Sequence, residues 1–349
     1  MNLLPGVEAQ SITTSRLRTH YYRSGPPDGI PVVMIHGNLS TGRFYEHLWG
    51  DAPDRCLFVA PDMRSFGRSD PAPIDATRGL DDWADDTWAL VEALGIDTPP
   101  HLVGWSTGGA AIASYAMRHP AASLTFIDPV SPFGFGGTHR DGTPCYPDWA
   151  GTGGGTGNPD YTQRLASGDR TSETPVSPRS VMNAAYWSTE FSLPAEREDI
   201  LLDEVLLTVS GDDGYPGDLT PSDNWPMIAP GTRGILNALS GKYCNWADLP
   251  DLDPKPPVLW THGSNDLVVA DGSVWEMGTL GQMEVIPGWP GLDVFPPQPM
   301  VTQIRDVLER YAANGGRVEM EMLEGSGHGP HIDAADRWSE IFFTFLGSI

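Results

Sequence analysis

Short runs of consecutive apolar residues alternate with longer stretches whose apolar positions recur at helical spacing. Pro31–Ile35 (PVVMI) and Leu57–Ala60 (LFVA) are continuously apolar and close at His36-Gly37 and Pro61-Asp62. Runs of that length, ended by turn residues, predict strands buried on both faces. Leu80–Leu94 follows with Trp83, Leu90, Val91 and Leu94 on one helical face and Asp81, Asp82, Asp85 and Asp86 near its start. Acids in a first turn suit the positive end of the helix dipole, so the four read as helix chemistry rather than a metal site. His101–Trp105 is the next predicted strand, Thr107–Arg118 the next helix, and Leu124–Asp128 a further strand. The alternation resumes with strand Val258–His262, helix Met300–Ala313, strand Val318–Leu323 and helix Ala334–Leu346. Strands alternating with helices predict an α/β fold: a mostly parallel central sheet covered by helices on both faces. Thr14–Tyr22 is expected to add one or two leading antiparallel strands.

Between Asp128 and Lys255 this alternation is lost. Arg179–Trp187 and Arg197–Leu207 read as helices, Pro216–Pro230 is rich in turn residues, and Gly151–Gly157 (GTGGGTG) reads as a flexible hinge or loop. That glycine run is not a phosphate cradle, because no strand precedes it and no Lys-Ser/Thr follows. The expected organisation is a core made of residues 1–129 and 255–349, interrupted by a large cap at 130–254. A second insertion, Gly278–Pro299, carries Met283, Ile286, Trp289, Leu292, Val294 and Phe295 among prolines.

With 349 residues, 40% of them hydrophobic, the chain has enough apolar surface for a large core, and global disorder is excluded. A net charge of −25 repels phosphate backbones and anionic lipid, so neither nucleic acid nor a membrane surface is expected as a partner. Only Lys242 and Lys255 are lysines, a pattern shared by salt-adapted proteins and by arginine-biased coding. Cys56, Cys145 and Cys244 have no C-x-x-C spacing, so three free thiols are expected ahead of a Cys145–Cys244 bridge, with no zinc site. No metal or organic cofactor is expected. Met1–Gln10 lacks a basic segment followed by a long apolar run, and no apolar stretch spans a membrane, so a cytoplasmic location is expected.

Candidate chemistry centres on Gly104-Trp105-Ser106-Thr107-Gly108-Gly109, between a predicted strand and a small-residue helix. In that context G-x-S-x-G is a nucleophile elbow, whose glycines make room for a strained turn that lifts the serine above the sheet. The competing reading, a serine that merely caps the helix, explains neither the preceding strand nor the glycines. A serine nucleophile needs a base held by an acid. Asp266 follows the strand Val258–His262 in Gly263-Ser264-Asn265-Asp266, and His328 follows Val318–Leu323 in Gly325-Ser326-Gly327-His328. The order Ser106, Asp266, His328 is that of α/β-hydrolases.

These motifs make the chain similar to the α/β-hydrolases of the bacterial esterase, lactonase and cofactor-free perhydrolase group. His36-Gly37-Asn38 resembles the family's oxyanion loop, and Pro61–Asp70 resembles its D-x-R-G-x-G-x-S loop with Ser65 in place of the usual glycine. Gly104–Gly109 and Gly325–His328 resemble its elbow and histidine loops. The likeness covers residues 14–128 and 256–346, and the cap resembles nothing assignable. It implies that the backbone N–H groups of Asn38 and Thr107 form the oxyanion hole. The Asn38 side chain either helps or closes its own loop by a hydrogen bond. Some relatives carry the acid at the position of Asp128, which is therefore the alternative to Asp266. His331 is the alternative base and otherwise a rim residue. His36 and His262 read as loop anchors, and His101 has no assigned role.

The expected function is a serine hydrolase of a carboxylic ester or lactone, acting through an acyl-enzyme on Ser106. The many large aromatic residues of the cap and second insertion, Phe133, Trp149, Tyr186, Trp187 and Trp225 among them, favour a bulky hydrophobic small-molecule substrate. Two alternatives remain open at this stage. One is C–C bond hydrolysis, cyanohydrin cleavage or aminopeptidase action on the same fold. The other is a non-catalytic ligand-binding protein.

Overall fold

The computed structural model describes residues 2–50 and 52–349. Strands β1 (Glu8–Thr13), β2 (Arg18–Ser24), β3 (Ile30–Ile35), β4 (Cys56–Pro61), β5 (His101–Trp105) and β6 (Ser123–Ile127) lead the chain, with helices α1 (Asp81–Ala93) and α2 (Thr107–Ala116) between them. A long insertion then carries α3 (Pro159–Ala166), α4 (Pro178–Ala185), α5 (Ala195–Val205), the short strands β7 (Ser210–Gly211), β8 (Tyr215–Pro216), β9 (Leu219–Pro221) and β10 (Ile228–Pro230), and α6 (Ile235–Ala238). The chain closes with β11 (Val258–Gly263), α7 (Met277–Gln282), α8 (Met300–Ala313), β12 (Val318–Leu323), α9 (Pro330–Asp333) and α10 (Ala335–Gly347).

Eight strands form one sheet in the order β1-β2-β4-β3-β5-β6-β11-β12. Both pairings of β2 are antiparallel and all the others from β4 to β12 are parallel. The central strands are the continuously apolar ones, and every residue of β4, β6 and β11 is buried. Polar β1 and the Glu-rich β12 lie at the two edges, where one side of the ladder meets water. Helices flank this sheet. Trp338 of α10 donates its indole N–H to Thr261 Oγ1 of β11 at 3.0 Å, and Trp246 of the insertion stacks on Phe126 of β6. Among the described residues no helix is long and apolar enough to cross a membrane.

The acids that open α1 do more than face a dipole. Asp82 and Asp86 each pair with both Arg16 and Arg64, while Asp85 pairs with Arg78 and Arg118 and Asp81 with Arg118. Arg64 belongs to the Pro61–Asp70 loop, so these pairs fasten that loop to α1. Within the loop Ser65 sits at φ +65°, the left-handed conformation that explains why glycine is usual there, and its Oγ donates to Ala72 O at 2.9 Å.

A second ion network joins the insertion to the sheet domain. The fully buried Glu204 of α5 accepts from Arg68 at 2.8 and 3.0 Å, from Arg43 at 3.3 Å and from Thr41 Oγ1 at 2.9 Å. Arg197 of the same helix pairs with Glu46. A buried carboxylate survives only when its lone pairs are matched in this way, and removing one partner typically costs about 3–5 kcal/mol.

The Gly151–Gly157 segment is packed rather than flexible. Asn237 Oδ1 accepts from Gly154 N at 2.7 Å, and a Cβ at Gly153 would lie 2.4 Å from that same oxygen. A neighbouring side chain fills the space at Gly153, and backbone fills it at Gly154, where a Cβ would lie 2.4 Å from Asp218 O. All three cysteines are free thiols.

Candidate active site

Ser106 stands at the tip of β5, where the chain turns sharply into α2. Its backbone is held at φ +54°, ψ −115°, a conformation that L-residues rarely adopt. Three bonds pin it there: Ser106 N donates to Ile127 O at 2.9 Å, and Ser106 O accepts from Gly109 N at 2.9 Å and Val130 N at 3.1 Å. The flanking glycines are required by close approach. A Cβ at Gly104 would lie 2.3 Å from Gly108 O, and one at Gly108 would lie 2.1 Å from Ile35 O. Although Ser106 occupies the N-cap position of α2, its side chain makes no capping hydrogen bond, so the hydroxyl is not spent on helix termination.

The loops after β11 and β12 bring Asp266 and His328 together. His328 Nδ1 lies 2.8 Å from Asp266 Oδ2, and Asp266 Oδ1 accepts from Val268 N at 2.7 Å and Val269 N at 3.1 Å. Burial pushes the Asp266 pKa upward, but the His328 imidazole, with His262 and the Val268 N–H, outweighs it and leaves the group below its ordinary value. An ionised Asp266 accepts a proton-bearing Nδ1, which leaves His328 Nε2 as the nitrogen with a free lone pair. Among the described residues Ser106 and His328 form no hydrogen bond with each other; such contacts commonly tighten only around substrate.

Asp128, the alternative acid, is fully buried at the end of β6 and does not contact the His328 ring nitrogens. Its Oδ1 accepts from Gly263 N at 2.9 Å and lies 3.5 Å from His262 Nδ1, while Oδ2 has no partner. His262 Nε2 donates to Val269 O at 2.9 Å, so its Nδ1 is an acceptor. Asp128, His262 and Asp266 could each offer an atom to a metal within 4.8 Å of one another. Asp266 is already engaged by His328, Val268 N and Val269 N, which leaves His262 Nδ1 and Asp128 Oδ2 as the unpartnered atoms of the three. Burial, reinforced by the Asp266 charge, raises the Asp128 pKa well above its ordinary value and so favours the neutral form.

Well below pH 4 Asp128 is protonated folded and unfolded alike, so it contributes no pH dependence there. Between its unfolded and its raised folded pKa the unfolded chain ionises it first, which lowers stability as pH rises. Asp128→Asn removes that penalty, so its melting temperature relative to the parent protein should be more favourable at pH 7 than at pH 4. Thermal melts at the two pH values check this.

The His36–Leu39 loop abuts the elbow, since a Cβ at Gly37 would lie 3.2 Å from Ser106 Cβ. No acceptor engages the backbone N–H of Asn38 or of Thr107 among the described residues. Thr107 opens α2, whose dipole adds positive potential at that amide. The Asn38 side chain does not close the loop: its Oδ1 is buried without a partner. Closure comes instead from Ser40 Oγ donating to Gly37 O at 2.8 Å and His36 Nδ1 bonding the same carbonyl at 2.7 Å. His36 Nε2 accepts from Met63 N at 3.0 Å, and burial lowers the His36 pKa to about 4, so this histidine is a neutral anchor.

His331 is not a rim residue. It is completely buried between Tyr45, Trp105 and Trp338, neither ring nitrogen has a partner, and burial depresses its pKa far below the ordinary value. His101 bonds Ser123 Oγ at 2.9 Å, well away from Ser106 along β5. Trp105, Tyr186 and Asp333, to which sequence reasoning gave no role in holding the site, also touch it. Trp105 donates its indole N–H to His328 O at 2.7 Å, Tyr186 reaches the Asn38 loop, and Asp333 holds Gly327 N at 2.7 Å. For Trp105 the signal was available, since an indole beside the elbow serine must find an acceptor when buried. For Tyr186 and Asp333 nothing in the local sequence gives it.

Strand order, the strained serine elbow and the histidine–aspartate loops at the ends of β11 and β12 define the class of protein as an α/β hydrolase fold. The chain belongs to the alpha/beta hydrolase family, whose model matches residues 32–341. It is 32% identical over 117 residues to a bifunctional esterase/perhydrolase of Acinetobacter calcoaceticus, a match covering 32% of this chain and 41% of that protein. It is also 32% identical over 114 residues to a 2-hydroxymuconate semialdehyde hydrolase of Pseudomonas sp. (strain CF600), covering 32% of this chain and 39% of that one. The matches thus span about two fifths of each relative. An esterase structure from Exiguobacterium antarcticum shares the fold with a TM-score of 0.56 at 18% identity, covering 97% of this chain and all of that one.

Proposed function

We propose that the protein is a serine hydrolase that cleaves a carboxylic ester or lactone through an acyl-enzyme on Ser106. His328 Nε2 takes the Ser106 hydroxyl proton as Oγ bonds to the substrate carbonyl carbon. The N–H groups of Asn38 and Thr107 receive the negative oxygen of the tetrahedral intermediate, where one such donor is worth about 3–4 kcal/mol. His328 then passes its proton to the departing alkoxide as the C–O bond breaks. A water deprotonated by His328 attacks the acyl carbon, and Ser106 leaves with that proton while the acid is released. Asp266 keeps Nδ1–H fixed and steadies the imidazolium formed in both halves of the cycle.

The observation that carries this reading is the 2.8 Å His328–Asp266 bond, on a loop joined to the elbow by the Trp105 indole, next to a serine whose backbone is held in strain without a capping role. The aromatic content of the insertion favours a substrate with aromatic or bulky aliphatic surface. An alkyl fluorophosphonate, which traps an activated serine, is expected to add once per chain on the peptide containing Ser106. Mass spectrometry reads the adduct, and folded protein that stays unlabelled, or is labelled elsewhere, contradicts the proposal. The match to a 2-hydroxymuconate semialdehyde hydrolase favours C–C bond hydrolysis as the second reading. Faster turnover of a dienoic diketone-type substrate than of any ester would favour that reading.

A further inference from the structure

The insertion returns to the sheet domain at Tyr186-Trp187-Ser188, directly after α4, and there it touches both loops that border Ser106. Its first contact is with the histidine loop. Gly329 lies at φ −129°, and of the glycines at 325, 327 and 329 only Gly325 takes a positive φ, so turn geometry does not require glycine on either side of His328. Space does. A Cβ at Gly327 would lie 2.4 Å from Ser188 N and 2.4 Å from the Trp187 carbonyl carbon, and one at Gly329 would lie 2.8 Å from Tyr186 O. Ser188 N donates to Asp333 Oδ2 at 2.8 Å, and that carboxylate also holds Gly327 N at 2.7 Å and Ser326 Oγ.

The second contact is with the Asn38 loop. The Tyr186 hydroxyl reaches Leu39 O at 2.7 Å and Asn38 O at 3.1 Å. Leu39 is held at φ +53°, a left-handed conformation that a leucine keeps only when its surroundings impose it. Burial raises the Tyr186 pKa far beyond its ordinary value, so the phenol is always a donor. Its ring is fixed edge-on against Trp105 and Phe44, at centroid distances of 5.2 and 5.9 Å.

We propose that Tyr186–Ser188 is a positioning bracket: the Tyr186 hydroxyl aims the oxyanion-loop amides while the 187–188 backbone and Asp333 fix the loop that carries His328. The insertion is then a fixed part of the catalytic scaffold at this point, not a lid that swings clear of it. Oxyanion donors act only when they sit within a few tenths of an ångström of the developing charge. Ser40 and His36 hold the Gly37 carbonyl of the peptide that carries Asn38 N, and Tyr186 ties down the two peptides that follow it, Asn38–Leu39 and Leu39–Ser40. This inference rests on the serine-hydrolase reading above.

The test is Tyr186→Phe, which removes one oxygen and keeps the ring. Hydrolysis of an aryl ester should show kcat lowered about tenfold with KM unchanged within about twofold, since the loss falls on the transition state alone. Affinity for a trifluoromethyl ketone, which forms the tetrahedral adduct, should weaken by the same factor as kcat/KM. A kcat within twofold of the parent, or a rise in KM without change in kcat, overturns the bracket. Should Tyr186→Phe fail to fold, Asp333→Asn reads the other arm: the same fall in kcat at constant KM supports the inference, and an unchanged kcat overturns it. Ser106→Ala run alongside separates the two claims. If it is inactive while both bracket variants keep full rate, only the bracket fails; if it stays active, the serine-hydrolase reading fails.

Discussion

Replacing Ser106 by alanine is expected to lower the hydrolysis rate of any ester the protein accepts by about four to six orders of magnitude, with the fold unchanged. The expectation follows from what the hydroxyl does and does not do in the structure. Ser106 Oγ caps no helix, and the elbow is held by the Ser106 backbone through Ile127 O, Gly109 N and Val130 N, all of which alanine keeps. Alanine at φ +54° is no more strained than serine, so near-UV circular dichroism and the melting temperature should match the parent protein while turnover disappears. The residual rate is set by whatever the Asn38 and Thr107 amides still contribute to water attack.

The second large effect separates two carboxyl groups that share one buried cluster. Asp266→Asn should reduce kcat by about 10⁴, because an amide that donates toward His328 Nδ1 forces the wrong tautomer and leaves the imidazolium without its counter-charge. Asp128→Asn should leave kcat within about threefold of the parent, since Asp128 makes no bond to the His328 ring and burial already favours its neutral form. Steady-state kinetics of the pair on one ester decides it. A collapse of activity in Asp128→Asn with Asp266→Asn still active would move the acid role to the end of β6.

Much of the fold is legible in the linear pattern because burial on both faces of a parallel strand writes itself as an uninterrupted apolar run. Met300–Ala313 and Val318–Leu323 are read at the same ends the structure gives, whereas Thr14–Tyr22 overlaps β2 but misses β1, which lies wholly before it. The elbow is legible for a different reason: Gly104 and Gly108 mark places where backbone from β3 and α2 approaches too closely for a Cβ. Asp266 and His328 stand out because each sits in a short loop directly after a strand of the sheet, and the two are hydrogen-bonded.

What stays hidden depends on partners far away in the chain. The acids of α1 look like ordinary first-turn residues, and only the fold brings Arg16, Arg64, Arg78 and Arg118 onto them. His331 looks like a surface neighbour of His328 until Tyr45, Trp105 and Trp338 close around it. The glycines beside His328 suggest a tight turn, whereas they accommodate the backbone of residues 186–188, well over a hundred positions earlier. The Gly151–Gly157 run suggests flexibility because composition alone cannot reveal Asn237 sitting in the space it leaves.

The most direct test is a pH-stat titration of acid release from a panel of bulky and small esters and lactones, with Ser106→Ala as the blank. The account predicts acid release that depends on Ser106 and is fastest on a member with aromatic or bulky aliphatic surface. Acid release that continues at full rate in Ser106→Ala, or none across the panel from folded protein, would contradict it.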